Sequence, residues 1–111
     1  MIMIEKKFEE FVSNLKKEDI KNKFLLLKKD WLNNYSFLPN EEKYINDCYK
    51  SIINIGNEVV PFLIEDMFSD TGISWYEALT QITGVWPIPK DNYNRKTYKT
   101  YWKKWFEENY V

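Results

Sequence analysis

With 111 residues, 5 Trp, 8 Tyr and 7 Phe against only 3 Gly and 4 Pro, the chain suits one helical domain spanning 1–111 and is poor in the turn residues that all-β folds need. One cysteine excludes an internal disulfide, and a net charge of −1 argues against a general polyanion binder. Histidine is absent, which removes the commonest neutral-pH base, the commonest metal ligand and every Ser-His or Cys-His nucleophile.

The start, Met1-Ile2-Met3-Ile4, runs into Glu5, Lys6 and Lys7, so no signal peptide is expected. No apolar run approaches the roughly 18 residues of a membrane span, so a cytoplasmic protein without membrane partners is expected. A first helix is predicted over 4–16, where Ile4, Phe8, Phe11, Val12 and Leu15 fall on one stripe. A second is predicted over 19–35, capped by Asp19, with Ile20, Phe24, Leu27, Trp31 and Tyr35 on its apolar side. Leu25 and Leu32 widen that side, and Leu26 points to a second neighbour. Pro39 stops it. Asn40 is the expected cap of a third helix bearing Tyr44, Ile45, Cys48, Tyr49, Ile52 and Ile55, ended by Gly56. Asn57 is the expected cap of a fourth helix, with Pro61 in its first turn and Val59, Val60, Leu63, Ile64 and Met67 inward.

Ser69-Asp70-Thr71-Gly72 is a loop signal. Ser74 and Glu77 form a capping box for a fifth helix carrying Trp75, Ala78, Leu79 and Ile82, ended by Gly84. Pro87 and Pro89 force an extended loop through about Tyr93, and a last helix covers about 94–108 with Tyr98, Tyr101, Trp102 and Trp105 on one side. The fold expected from this pattern is all-α, about six short helices in antiparallel pairs.

Three groups of residues carry candidate function. Glu58, Glu65, Asp66 and Asp70 lie in a stretch, 51–89, with five acids and no Lys or Arg. Their spacing fits no catalytic or metal motif, and no phosphate-binding glycine loop accompanies them, so a solvated acidic partner face is expected. Residues 90–111 hold six bases and three acids. There Tyr93 opens a stretch that interleaves rings with Lys96, Lys99 and Lys103, as single-strand nucleic-acid binders do. Helical geometry separates the two sets, because the three lysines share one face while Tyr98, Trp102 and Trp105 point roughly the other way. Trp86, in a Pro-bounded loop outside any helical stripe, is the best single candidate for a partner contact; the competing reading is that it folds back as a lid over the core. Cys48 sits on an apolar face and reads as a small core residue. No catalytic residue, cofactor or metal is expected.

The run Ile52-Ile53-Asn54-Ile55-Gly56-Asn57-Glu58-Val59-Val60-Pro61-Phe62-Leu63-Ile64 resembles the hinge of a HEAT-type repeat. Ala78-Leu79-Thr80-Gln81-Ile82-Thr83-Gly84, followed by Trp102 and Trp105, resembles the terminal segment of some small bacterial HEAT-like proteins. The resemblance covers about residues 43–106. The 85–93 loop with Trp86, Pro87 and Pro89 departs from it, and residues 1–39 lie outside it. It implies stacked helical pairs and a binding role rather than a reaction. The function expected is therefore a non-enzymatic protein-interaction module, of the kind a small bacterial inhibitor, immunity protein or antitoxin would be. The alternative is a nucleic-acid-binding accessory protein using the basic last helix. Oligomeric state is left open.

Overall fold

Helix α1, Ile2–Asn34, is a single element of 33 residues, about 50 Å long at 1.5 Å per residue. A computed structural model of the protein describes residues 2–69 and 73–110, with side chains from residue 14 onward. The apolar stripe expected at Ile4, Phe8, Phe11 and Val12 concerns side chains outside that set. Two expected helices are thus one, and the first expected pair does not form. The reason is local. Lys16-Lys17-Glu18-Asp19 contains neither Gly nor Pro, and an interior Asp costs at most about 0.7 kcal/mol relative to Ala. Asp19 therefore continues the helix rather than capping a new one.

The chain divides into two compact units, 1–59 and 60–111. In the first, Phe24 and Trp31 are the buried residues among the described side chains of α1, with Ile20, Leu27 and Tyr35 half-buried on the same stripe. Leu25, Leu26 and Leu32, expected to meet neighbours, are instead exposed. The helix ends where the backbone N–H groups of Tyr35 and Ser36 both donate to the Trp31 carbonyl at 2.8 Å. The Trp31 indole N–H then donates to the Lys43 carbonyl at 2.7 Å, tying the returning chain to α1.

Helix α2, Glu42–Ile45, is a single turn, and α3, Asp47–Ile55, follows it. The expected third helix is therefore split, and its cap is Asn46 rather than Asn40. The Asn46 carboxamide oxygen accepts from the Tyr49 N–H at 2.8 Å, while its amide nitrogen donates to the Lys43 carbonyl at 2.8 Å. Asn40 instead takes a left-handed φ of 56°, a conformation Asn tolerates better than most residues. Cys48, Tyr49 and Ile52 are buried on α3, which packs on α1. The Trp31 and Tyr49 rings meet at 5.9 Å and the Tyr44 and Tyr49 rings at 5.4 Å. Gly56 ends α3 with φ 82° and opens a 3-10 turn, Gly56–Val59. Asn57 lies inside that turn and so does not cap the next helix.

The Cys48 thiol donates to the Leu27 carbonyl at 3.0 Å. Burial, and secondarily the nearby Asp30 carboxylate, push its pKa up to about 11. The native state thus holds this proton more tightly than the unfolded chain, whose thiol titrates near 8.5. The stabilisation is fully present below about pH 8.5 and is lost as pH rises from there through 11. At pH 8 the native thiol should react with a disulfide reagent at least about a hundredfold more slowly than the urea-unfolded chain. Equal rates in the two states would show that Cys48 is not sealed.

The second unit begins with α4, Val60–Met67, which places Pro61 in its first turn and buries Val60, Leu63, Ile64 and Met67. Helix α5, Tyr76–Thr83, buries Ala78 and Leu79. Its expected capping box is absent. Trp75, fully buried, precedes the first helical residue and no side chain caps the helix. The Glu77 carboxylate accepts from the Gln81 amide one turn on, at 3.1 Å. Gly84 ends α5 with φ 73° and its N–H donating to the Thr80 carbonyl at 2.8 Å. A 3-10 turn, Arg95–Thr97, leads into α6, Tyr98–Asn109, which packs on α4. The fold is all-α, with no strand among the described residues.

Candidate partner-binding surface

The loop between α5 and α6 is held at both ends. At its start the Val85 N–H donates to the Thr83 hydroxyl at 3.3 Å. Ile88, between the two prolines, is buried and pins the middle. At its end Asn92 and Asn94 form a polar knot. The Asn94 N–H donates to the Asn92 side-chain oxygen at 2.9 Å, the Asn92 amide donates to the Thr97 hydroxyl at 2.9 Å, and the Asn94 side chain accepts from the Lys96 N–H at 3.1 Å. Such Asx geometry replaces backbone pairing that a loop lacks.

Trp86 rides on this pinned loop. Its ring meets Tyr98 at 5.5 Å and Trp102 at 6.4 Å, both edge-to-face, yet 49% of the residue stays exposed. It is therefore a half-covered ring, neither a free tip nor a sealed lid. The contacts continue in a line. Tyr76 meets Tyr98 at 5.5 Å, Trp102 meets Trp105 at 5.6 Å, Trp105 meets Tyr110 at 5.6 Å, and Tyr110 stacks on Phe106 at 4.9 Å. Trp102 is fully buried at the centre of this line, and its indole N–H has no partner among the described residues. Trp105, expected to be largely buried, is half-buried.

Cations border the rings. The Arg95 guanidinium lies 6.0 Å from the Tyr76 ring. The Lys99 and Lys103 ammoniums lie 5.1 and 5.4 Å from the ring of Phe68, just past α4. Phe68 was not singled out in the sequence. It stands one residue beyond Met67, outside the apolar stripe of α4, and that mismatch was the available signal. Lys96 and Lys103 are exposed and Lys99 is half-buried, while Tyr93 is 86% exposed.

Within the acidic set, Asp66 does not lie on the expected solvated face. Asp66 is buried at 8% exposure, and its carboxylate accepts from the Trp75 indole N–H at 2.8 Å. It is a core residue, because α4 turns it inward beside Leu63 and Met67. Glu58 is exposed in the first unit and Glu65 is exposed on α4 in the second. Asp70 lies outside the described residues.

Burial pushes the Tyr76 phenol up, against the opposing effects of a Ser74 hydrogen bond and the Arg95 charge, and burial also raises Tyr110. Both shifts move away from neutrality, the wrong direction for a general acid or base at pH 7. Among the described residues no three His, Cys, Asp or Glu side chains cluster to hold a metal ion, and no helix is long and apolar enough to cross a membrane. No family model, curated protein or solved structure matches this chain.

Proposed function

We propose that this chain is a non-enzymatic protein-interaction module that binds and occludes a protein partner through the aromatic surface around Trp86. The HEAT-type reading of residues 43–106, and a role as a small bacterial inhibitor, immunity or antitoxin-like protein, belong to the same proposal. The supporting observation is the state of Trp86, a half-exposed indole fixed on one flank by Tyr98 and Trp102. An aromatic side chain already immobilised loses little rotamer freedom on binding, and tryptophan is among the residues that most often dominate interface energy. The nucleic-acid alternative has less support. Tyr98 and Trp102, the rings that a base would stack on, are engaged by Trp86 itself.

Trp86→Ala gives up two edge-to-face contacts, so it should lower stability by about 1–2 kcal/mol in a urea melt while leaving unfolding cooperative. The same variant, immobilised, should fail to retain host proteins that the parent retains. If both retain the same proteins equally, Trp86 is not the contact and the proposal loses its support. Retention of single-stranded DNA by both, with no protein, would favour the alternative instead.

A further inference from the structure

We infer that the cluster of Phe68, Lys99 and Lys103 recognises an acidic peptide segment with apolar neighbours, carried by the protein partner; this rests on the protein-binding reading above. Lys99 and Lys103 stand one turn apart on α6 and bring both ammoniums to one ring, at 5.1 and 5.4 Å. Like charges at that spacing repel each other on a helix. The ring's negative π-face offsets only part of this repulsion. Among the described residues neither ammonium meets a carboxylate or a hydrogen-bond acceptor, so each keeps donors for a ligand. Phe68 itself is 43% exposed. The combination is a partly exposed apolar ring beside two cations. It is complementary to an Asp or Glu side chain whose neighbour is Leu or Phe, with carboxylate on ammonium and hydrocarbon on ring.

Charge distinguishes a peptide from a nucleic-acid strand. Residues 60–111 hold six bases and seven acids, a net charge of −1. A polyphosphate strand would gain from this pair but extend its charge over a unit that also exposes Glu65, three residues before Phe68, and Glu107, one turn after Lys103. A short acidic segment brings only one or two charges and so meets less repulsion from them. The lysines thus act as a selectivity filter for the partner, through steering and the exclusion of basic surfaces.

The test is selection from a random-peptide phage library on the full chain, followed by affinity measurements on the enriched peptides. Enriched sequences should carry Asp or Glu beside Leu or Phe. Their affinity should fall at least about tenfold in the variant carrying Lys99→Gln with Lys103→Gln, and should weaken with added salt. Lys103 is exposed and Lys99 half-buried, and Gln keeps most of each side chain's hydrocarbon stem, so the variant should keep its helical circular dichroism and lose no more than about 1 kcal/mol of stability. Enrichment of neutral or basic peptides, or no enrichment at all, overturns the inference. Peptides that lose binding on Trp86→Ala but not on the lysine changes overturn it while leaving the protein-binding reading standing. No enrichment, together with a lysine-dependent affinity for labelled oligo-dT, overturns both in favour of single-stranded nucleic acid.

Discussion

Trp102→Ala is expected to lower the unfolding free energy by about 3–5 kcal/mol. The side chain is fully buried and is packed between Trp86 and Trp105. Its removal leaves a void that flanking rings on α6 and on a pinned loop are poorly placed to fill. That loss is a large part of the roughly 5–15 kcal/mol that holds a natural domain folded. Trp102→Phe should behave differently. The indole N–H has no acceptor, so the smaller ring gives up area but also removes a buried donor that is already unpaired. The two terms oppose each other, and the net loss should stay near 1–2 kcal/mol. Urea melts of both variants measure this. An alanine variant less than about 1 kcal/mol weaker than the parent would mean that the ring is not packed.

The second large effect is expected at Asp66. Asp66→Ala removes the acceptor of the Trp75 indole, which lies 2.8 Å away in a buried setting. Losing one partner of a buried hydrogen bond costs about 1–3 kcal/mol, and the truncated side chain leaves a small void as well, so a loss of about 2–3 kcal/mol is expected. A double-mutant cycle with Trp75→Phe isolates the pair. If the bond matters, the cost of Asp66→Ala should shrink by about 1–2 kcal/mol once the indole donor is gone. Strictly additive losses would show that Asp66 acts through other contacts.

The helical class was legible because few residues here break helices and because apolar residues recur at helical spacing. Phe24, Trp31, Tyr49, Ile52, Leu63, Met67, Leu79 and Trp102 all occupy the buried positions that periodicity assigned them. Gly56 and Gly84 ended their helices as expected because both take a positive φ. The starts of helices were less legible. Asp19, Asn40 and Ser74 are each good caps in isolation, but a cap forms only where the preceding chain leaves the helix. At Asp19 it does not leave. At Asn40 it turns too early, and Asn46 has the reach. At Ser74 the adjacent Trp75 is buried and occupies the position before the helix. Asp66 was misplaced for a different reason. Its carboxyl group suggested water, but it accepts a hydrogen bond from an indole nine residues away that no local pattern announces. The lysine face of α6 was visible from spacing, whereas its target, Phe68, depends on the packing of α4 against α6.

The line of touching rings makes the second unit its own optical reporter. Indoles in contact exchange excitation faster than they emit, so light absorbed by Trp102 or Trp105 migrates along the line. Emission then favours the tryptophan with the lowest excited state, and water lowers that state most for the half-exposed Trp86. The intrinsic fluorescence of this unit is therefore weighted toward Trp86, the ring proposed to meet a partner. Covering that ring shifts the spectrum to the blue without a label, and the same signal distinguishes occupation of the Trp86 surface from binding elsewhere on the chain.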